Sequence, residues 1–427
     1  MAQGALPGFR DFYPELFAER AYIMSVWRRV LRRFAFVEYD GPPLEPLDLY
    51  RKKSGDELVG QLYSFTDKGG RDVAMRPEMT PTFARMVGAR ANALRKPVRW
   101  FSIPQLFRYE RQQKGRLREH FQLNVDIVGE AGAAADAELL AIALDTMREM
   151  GLSAQDVNAR VSDRRLLQAL LNHAGVAPEA MSAVYGVIDK RGREPREVSR
   201  FRLRETAGSD AAADAIEEIL AFDDVKSLAA RYADVADATE HIQRLGDYLS
   251  YLESLGFGGW VRLDLSIVRG LAYYTGIVFE LFDTAGEFRA ICGGGRYDTL
   301  LQTLGGADLP ALGFGMGDVV IRELLRARGL IPEMSQHTDY WIAADDPSLL
   351  TEVMSVAAKL RKHDKSVEYS LKPQQLSRQL KAAGAAGASS AVLIERGAYE
   401  NGDVKLKDMK AGTERTMALA DLINSLK

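Results

Sequence analysis

Cysteine is almost missing from this chain: one residue, Cys292, in 427. A single thiol excludes an internal disulfide and fits a reducing compartment, so a cytoplasmic location is expected. No histidine stands near it in sequence, so a small buried apolar residue is a better reading than a nucleophile. Histidine is scarce too. His120, His173, His241, His337 and His363 are scattered, with no His-x-x-x-His spacing, and no metal site is expected of them. No apolar run approaches membrane-spanning length, and the opening Met1-Ala-Gln-Gly-Ala-Leu-Pro-Gly has no basic segment ahead of an apolar one. No membrane association is expected. A formal net charge of −3 gives no bulk attraction to nucleic acid, so any RNA must be met by local basic patches.

What is present is ordinary soluble composition, with 47% hydrophobic and 27% charged residues, and length enough for two or three cores. Residues 17–36 place Ile23, Val26, Trp27, Val30, Leu31 and Phe34 at helical spacing, ending before Gly41-Pro42-Pro43. Tyr63 to Asp67 and Val73 to Met75, around Lys68-Gly69-Gly70-Arg71, read as a hairpin. It delivers Arg76-Pro-Glu-Met-Thr80, where a carboxylate at Glu78 and a hydroxyl at Thr80 offer hydrogen-bond acceptors. Thr80 is a good helix N-cap, and taken alone the segment favours that reading. Residues 133–150 read as an alanine-rich helix, and the pattern from Ser162-Asp163 to about Leu255 is almost wholly helical.

Phe107-Arg108 ends one strand, and a second alternates Phe121, Leu123, Val125 and Ile127 with Gln122, Asn124 and Asp126. Between them runs a charged loop through Lys114-Gly115. Arginines in such a loop are usually solvated surface, yet Arg108 and Arg116 bracketing a turn also form a clamp for phosphate oxygens. Further on, Arg269-Gly-Leu-Ala-Tyr-Tyr-Thr-Gly-Ile-Val-Phe-Glu280 precedes Ile291-Cys-Gly-Gly-Gly-Arg-Tyr-Asp298. Strands at Ile277 to Phe282 and Ala290 to Cys292 would pair antiparallel, with Tyr273 and Tyr274 on opposite faces. Gly293 to Gly295 leave backbone open to a ligand. A hydrophobic hairpin whose glycines only relieve packing explains the stretch equally well. Ala311-Leu-Gly-Phe-Gly-Met-Gly-Asp318 is a glycine-spaced strand entering a helix, without the Gly-x-x-Gly step of a dinucleotide fingerprint. After about 337 the chain alternates strand and helix as a small α/β domain with a mostly parallel sheet.

Taken together, these segments resemble the histidyl-tRNA synthetases, a family of class II aminoacyl-tRNA synthetases. The resemblance covers nearly the whole chain and is most specific at Phe107 to Asp126 and at Arg269 to Asp298. It implies an α+β fold: an antiparallel-sheet catalytic domain over 1–326 with a helical insertion at about 170–235, a linker at 327–336, and an anticodon-binding domain over 337–427. Pro43-Leu44-Glu45 would belong to the unit that builds a homodimer. The implied activity joins L-histidine to tRNA(His) through histidyl-adenylate, using ATP with Mg²⁺. Glu78, Thr80, Gln122, Asp126, Tyr273, Tyr274 and Gly294 would hold histidine. Gln122 would meet the α-amino group, and Asp126 with Tyr274 the imidazole. Arg108, Arg116, Arg269 and Gly315 would meet ATP, with Arg108 and Arg269 catalytic. Lys190 to Arg193 and Arg200 to Arg204 would offer basic patches to the tRNA acceptor arm.

The sequence departs from the family at three places. Val319 and Val320 stand where an acidic residue and an ATP-binding arginine are usual, and Arg322 lies roughly 200° round a helix from that arginine's place. Ala272 stands where aspartate is usual, and Asp126 where glutamate is frequent. Two rivals follow: a non-catalytic histidine-binding regulator like the subunit accompanying ATP phosphoribosyltransferase, and a module that binds RNA without charging it. Arg108, Arg116 and Arg269 together, and a C-terminal domain that such regulators usually lack, favour the enzyme.

Overall fold

The first helical pattern becomes α1 (Pro14–Arg33), which turns Ile23, Val26, Trp27, Val30 and Leu31 into the core. Proline suits its first position, where an N–H would have no intrahelical partner. The computed structural model describes residues 4–51, 60–109, 117–191, 194–269, 273–304, 306–333 and 338–426. Strands β1 (Val37–Glu38), β2 (Leu44–Pro46), β3 (Ser64–Thr66) and β4 (Asp72–Met75) follow, then helix α2 (Thr80–Arg90). Next come β5 (Val98–Ser102), β6 (Gln105–Phe107), β7 (Glu119–Val128), helix α3 (Ala133–Glu149) and β8 (Val157–Asp163). A helical run comprises α4 (Arg164–His173), α5 (Met181–Lys190), α6 (Arg196–Ala207), α7 (Asp210–Ile219), α8 (Val225–Arg231) and α9 (Ala236–Ser254). The unit closes with β9 (Val261–Leu263), β10 (Ile277–Asp283), β11 (Cys292–Arg296), α10 (Leu300–Thr303), β12 (Ala311–Gly317) and α11 (Asp318–Ala327).

Among the described residues the main sheet has the order β1-β5-β7-β12-β11-β10-β8-β9, with β6 also paired to β7. Its pairings are antiparallel except β1–β5 and β8–β9 at the two edges. Alternation along β7 sends Leu123, Val125 and Ile127 into the core beside α1 and α3, and leaves Gln122, Asn124 and Asp126 to the other face. Helix α3 is largely buried, with Leu139, Leu140, Ile142, Leu144 and Met147 against the sheet. The signature hairpin forms, but its second strand is Cys292–Arg296, so the three glycines lie within it. Gly293 pairs with Glu280 and Gly295 with Val278.

Tyr273 and Tyr274 do not follow strand alternation. They precede β10, and their rings lie 4.6 Å apart, facing one cavity.

The chain divides after Pro332, within the stretch 327–336, into two units. The second has β13 (Tyr340–Ala344), α12 (Leu350–Arg361), β14 (Val367–Tyr369), α13 (Leu376–Ala385), β15 (Ser390–Ile394) and α14 (Arg396–Glu400). It ends with β16 (Asp403–Asp408), β17 (Glu414–Ala418) and α15 (Leu419–Asn424). The order β14-β13-β15-β16-β17 joins a parallel trio to an antiparallel pair, so the sheet is mixed where mostly parallel pairing was expected. Strand β17 was not anticipated: its residues are exposed or half-exposed and show no hydrophobic alternation.

Candidate active site

The floor of the site comes from register. On the face carrying Gln122, Asn124 and Asp126, β12 sets Gly317, Gly315 and Gly313 directly opposite. A Cβ on Gly313 would come within 2.2 Å of Asp126 Oδ1, and one on Gly315 within 2.9 Å of Gln122 Cδ. On β11, a Cβ on Gly293 would come within 2.2 Å of an Arg269 guanidinium nitrogen. Glycine at these places keeps the floor at backbone height, so long polar side chains lie flat across it. The spacing Gly313-x-Gly315-x-Gly317 is period two, the strand signature of one shared face.

Over this floor opens a cavity of about 100 Å³. Glu78, Thr80, Arg108 and Gln122 line it, and so do Asp126, Arg269, Tyr273, Tyr274 and Gly315. Distant parts of the chain thus converge on one place. Gly294 is not among the lining residues; its missing Cβ would point at Phe314 and the Gly313 carbonyl, and its neighbour Gly293 reaches the cavity instead. Arg116 and Ala272 lie outside the described residues.

Thr80 is the first residue of α2, and the N-cap is Met79, with no side-chain capping bond. The capping role open to Thr80 from sequence is therefore not used, and its side chain lines the cavity. Arg108 is anchored by its Nε, which donates to the Pro77 carbonyl at 2.9 Å.

Asp126 accepts a hydrogen bond from the hydroxyl of Tyr297, a cavity residue given no role from sequence although it stands inside the Gly-Gly-Gly-Arg-Tyr-Asp stretch. A carboxylate has about four acceptor positions, so this bond orients Asp126 without exhausting it. Burial and the facing carboxylate hold the Tyr297 phenol protonated, well above its ordinary pKa.

Arg269 enters the site with φ 55° and pairs with Glu280 on β10. Its guanidinium carbon lies 5.7 Å from the centre of the Tyr274 ring, and its Nε is buried with no hydrogen-bond partner among the described residues. Burial alone favours the neutral guanidine, but Tyr274, Glu280 and Tyr273 outweigh it and the pKa is raised. Arg269 is a fixed cation with capacity to bind an anion.

At the outer end of β7, Asp318 accepts from the Phe121 N–H at 3.0 Å and from Arg10 at 2.9 Å, while Arg10 also binds Glu119 at 2.6 Å. The amino-terminal segment is thereby pinned across the strand that carries the site. Val319 is buried and Val320 packs against the core, so neither can meet a phosphate. Arg322 is half-buried, and burial followed by repulsion from Arg10 and Arg326 lowers its pKa.

The insertion arginines carry local partners. Arg191 binds Glu217 at 2.5 Å, Arg200 binds Asp214 at 2.6 Å and Arg202 binds Glu194 at 2.6 Å. Gly192 and Arg193 lie outside the described residues. Among those residues no group of three or more His, Cys, Asp or Glu side chains is arranged to hold a metal ion, and no helix is long and apolar enough to cross a membrane.

The family model for histidyl-tRNA synthetase matches residues 8–318, and that for an anticodon-binding domain matches residues 336–427. A histidine--tRNA ligase of Opitutus terrae is 43% identical, over 96% of this chain and 94% of its own length. A chloroplastic/mitochondrial histidine--tRNA ligase of Arabidopsis thaliana is 41% identical, over 97% of this chain and 85% of its own. The crystal structure of histidyl-tRNA synthetase from a Nostoc species superposes with a TM-score of 0.83 at 22% identity, covering 100% of this chain and 99% of that one. The chain belongs to the histidyl-tRNA synthetase family.

Proposed function

We propose that this protein is a histidine--tRNA ligase whose two half-reactions use the cavity over β7, β11 and β12. A histidine carboxylate oxygen attacks the α-phosphorus of ATP, the bond to pyrophosphate breaks, and the acyl group then passes to the 3′ end of tRNA(His). Charge grows on phosphate oxygens, so catalysis is positioning and electrostatic stabilisation, with no side-chain nucleophile. Arg269 and Arg108 supply fixed guanidinium groups to the carboxylate and α-phosphate, and Arg116 meets the γ-phosphate. Glu78, Thr80 and Gln122 accept from the α-ammonium. Asp126, oriented by Tyr297, and Tyr274 read the imidazole, with Tyr273 and backbone beside Gly294 closing the pocket; Gly315 leaves room for ATP. The single observation that carries this assignment is the lining of one cavity by Glu78, Arg108, Asp126, Arg269 and Tyr274.

Mg²⁺ would arrive on the triphosphate, where it would shield the outer phosphates. Exposed apolar residues on the amino-terminal strands, Val37 at 61%, Leu44 at 43% and Phe65 at 51%, support assembly as a homodimer. A lone buried thiol supports a cytoplasmic setting. The loss of the usual arginine at Val320 is what a histidine-binding regulator would tolerate. Charging of tRNA(His) with radiolabelled histidine tests the choice: ATP-dependent charging supports the ligase, while histidine binding with no charging supports the regulator.

A further inference from the structure

Arg269 adopts a left-handed backbone conformation, φ 55°, that a residue with a Cβ enters only at a cost. A second arginine braces it. Nη1 of Arg164, the first residue of α4, donates to the Val268 carbonyl at 2.7 Å and to the Arg269 carbonyl at 3.3 Å. The Arg164 backbone N–H donates to the Gly276 carbonyl at 3.1 Å, so Arg164 clasps both ends of the segment bearing Tyr273 and Tyr274. Asp163, wholly buried, fixes the start of α4 by accepting from the N–H groups of Arg165 and Leu166 at 2.8 and 3.1 Å. On its other side the Arg164 guanidinium lies 4.7 Å from the centre of the Tyr185 ring, and Tyr185 belongs to α5 in the helical insertion. Neither Arg164 nor Tyr185 lines the cavity.

We propose that Arg164 is a positioning residue for the adenylation step, and that its contact with Tyr185 makes the helical insertion part of that device. The inference rests on the catalytic role given to Arg269 above. Glu280 fixes the guanidinium end of Arg269 and Arg164 fixes its backbone end. Without the second anchor φ relaxes toward the ordinary regions and the guanidinium swings away from the reacting carboxylate and phosphate. Misplacement by about 1 Å is enough to cost about 10²-fold in rate. The planar guanidinium bonds both carbonyls while its face lies on the ring, an arrangement that a flexible lysine ammonium holds less rigidly.

Histidine-dependent pyrophosphate exchange by the full chain, without tRNA, tests this. Arg164→Gln lowers kcat about 10²-fold, with a smaller rise in the KM for histidine, and Arg164→Lys recovers part of the loss. Tyr185→Leu lowers kcat several-fold, and Tyr185→Phe, which keeps the ring face, retains most of the rate. Arg164→Gln causes no additional loss on an Arg269→Ala background, because it acts through that residue. A full multiplicative loss there, or normal exchange by Arg164→Gln when Arg269→Ala is impaired, overturns the inference alone. Normal exchange by Arg269→Ala overturns the catalytic role given to Arg269 instead. Should Arg164→Gln not fold, Tyr185→Leu carries the same comparison on both backgrounds.

Discussion

Tyr297 donates its hydroxyl to the Asp126 carboxylate across 171 residues of sequence, inside the cavity that also holds Gln122 and Tyr274. The carboxylate proposed to read an imidazole N–H is thus held in place by a phenol. Tyr297→Phe removes one hydrogen bond to a charged group, a loss of about 1.5–3 kcal/mol. It should raise the KM for histidine about tenfold or more in pyrophosphate exchange by a chain that still folds. An unchanged KM would show that Asp126 needs no such support.

Glycine substitutions should rank by what their new Cβ meets. At Gly313 it meets Asp126 Oδ1 at 2.2 Å and the Val125 carbonyl at 2.7 Å, and the latter is backbone that cannot swing aside. At Gly315 the nearest atoms it meets are those at the end of the Gln122 side chain, from 2.9 Å. Gly313→Ala should therefore abolish histidine binding by calorimetry, with an overpacking cost of about 1–3 kcal/mol in stability. Gly315→Ala should weaken binding modestly. The reverse order would mean that the site face is misassigned.

Arg10 separates two buried carboxylates, Glu119 at 1% and Asp318 at 2% exposure. Arg10→Ala removes the ion-pair partner of both, leaving only the Phe121 N–H on Asp318 and the Gln105 amide on Glu119, and should cost about 3–5 kcal/mol in urea unfolding at pH 7.5. Burial already raises the Asp318 pKa, with Arg10 opposing it, so removing Arg10 raises it further. The penalty applies to the charged form. It should be full above the raised pKa and shrink as pH falls below it, because the folded state then binds a proton more readily than the unfolded one. Asp318→Asn on the Arg10→Ala background should recover part of the loss at pH 7.5. A deficit that grows on acidification would contradict this.

Cys292 is buried within β11, and burial pushes its thiol pKa far up. Thiolate is the reactive form, so the native protein should resist iodoacetamide at pH 8 and take up one equivalent only when denatured, read by mass spectrometry. Fast native labelling would show that β11 opens.

The two units have separate hydrophobic cores, one around α1, α3 and the main sheet, the other around α12 and β13 to β16. A chain ending near residue 333 should keep histidine activation and lose most tRNA charging. Equal charging by the shortened chain would remove the anticodon-binding role from the second unit.

Which parts of this could be read from sequence follows from physics. Helices α1 and α3 and strands β7 and β12 show in hydrophobic or glycine periodicity, because one face is buried and the period is local. Tyr273 and Tyr274 defeat the alternation rule because β10 begins only at Ile277. Strand β17 escapes because it is an exposed edge with no apolar face to pattern. Arg10, Arg164 and Glu280 carry no sequence signal of their own. Their roles are set by partners that folding supplies, 308 residues away for Arg10 with Asp318 and 105 for Arg164 with the Arg269 carbonyl. Of the arginines of the insertion, read from sequence as a basic patch, Arg191, Arg200 and Arg202 are paired with nearby carboxylates.

The claim beneath all the others is that guanidinium groups, a carboxylate and a phenol drawn from distant segments form one adenylating centre. Pyrophosphate exchange by the purified chain, measured with each amino acid in turn, tests it most directly. Exchange that requires L-histidine and collapses by orders of magnitude in Arg269→Ala is the predicted result. Histidine binding without any exchange would contradict it.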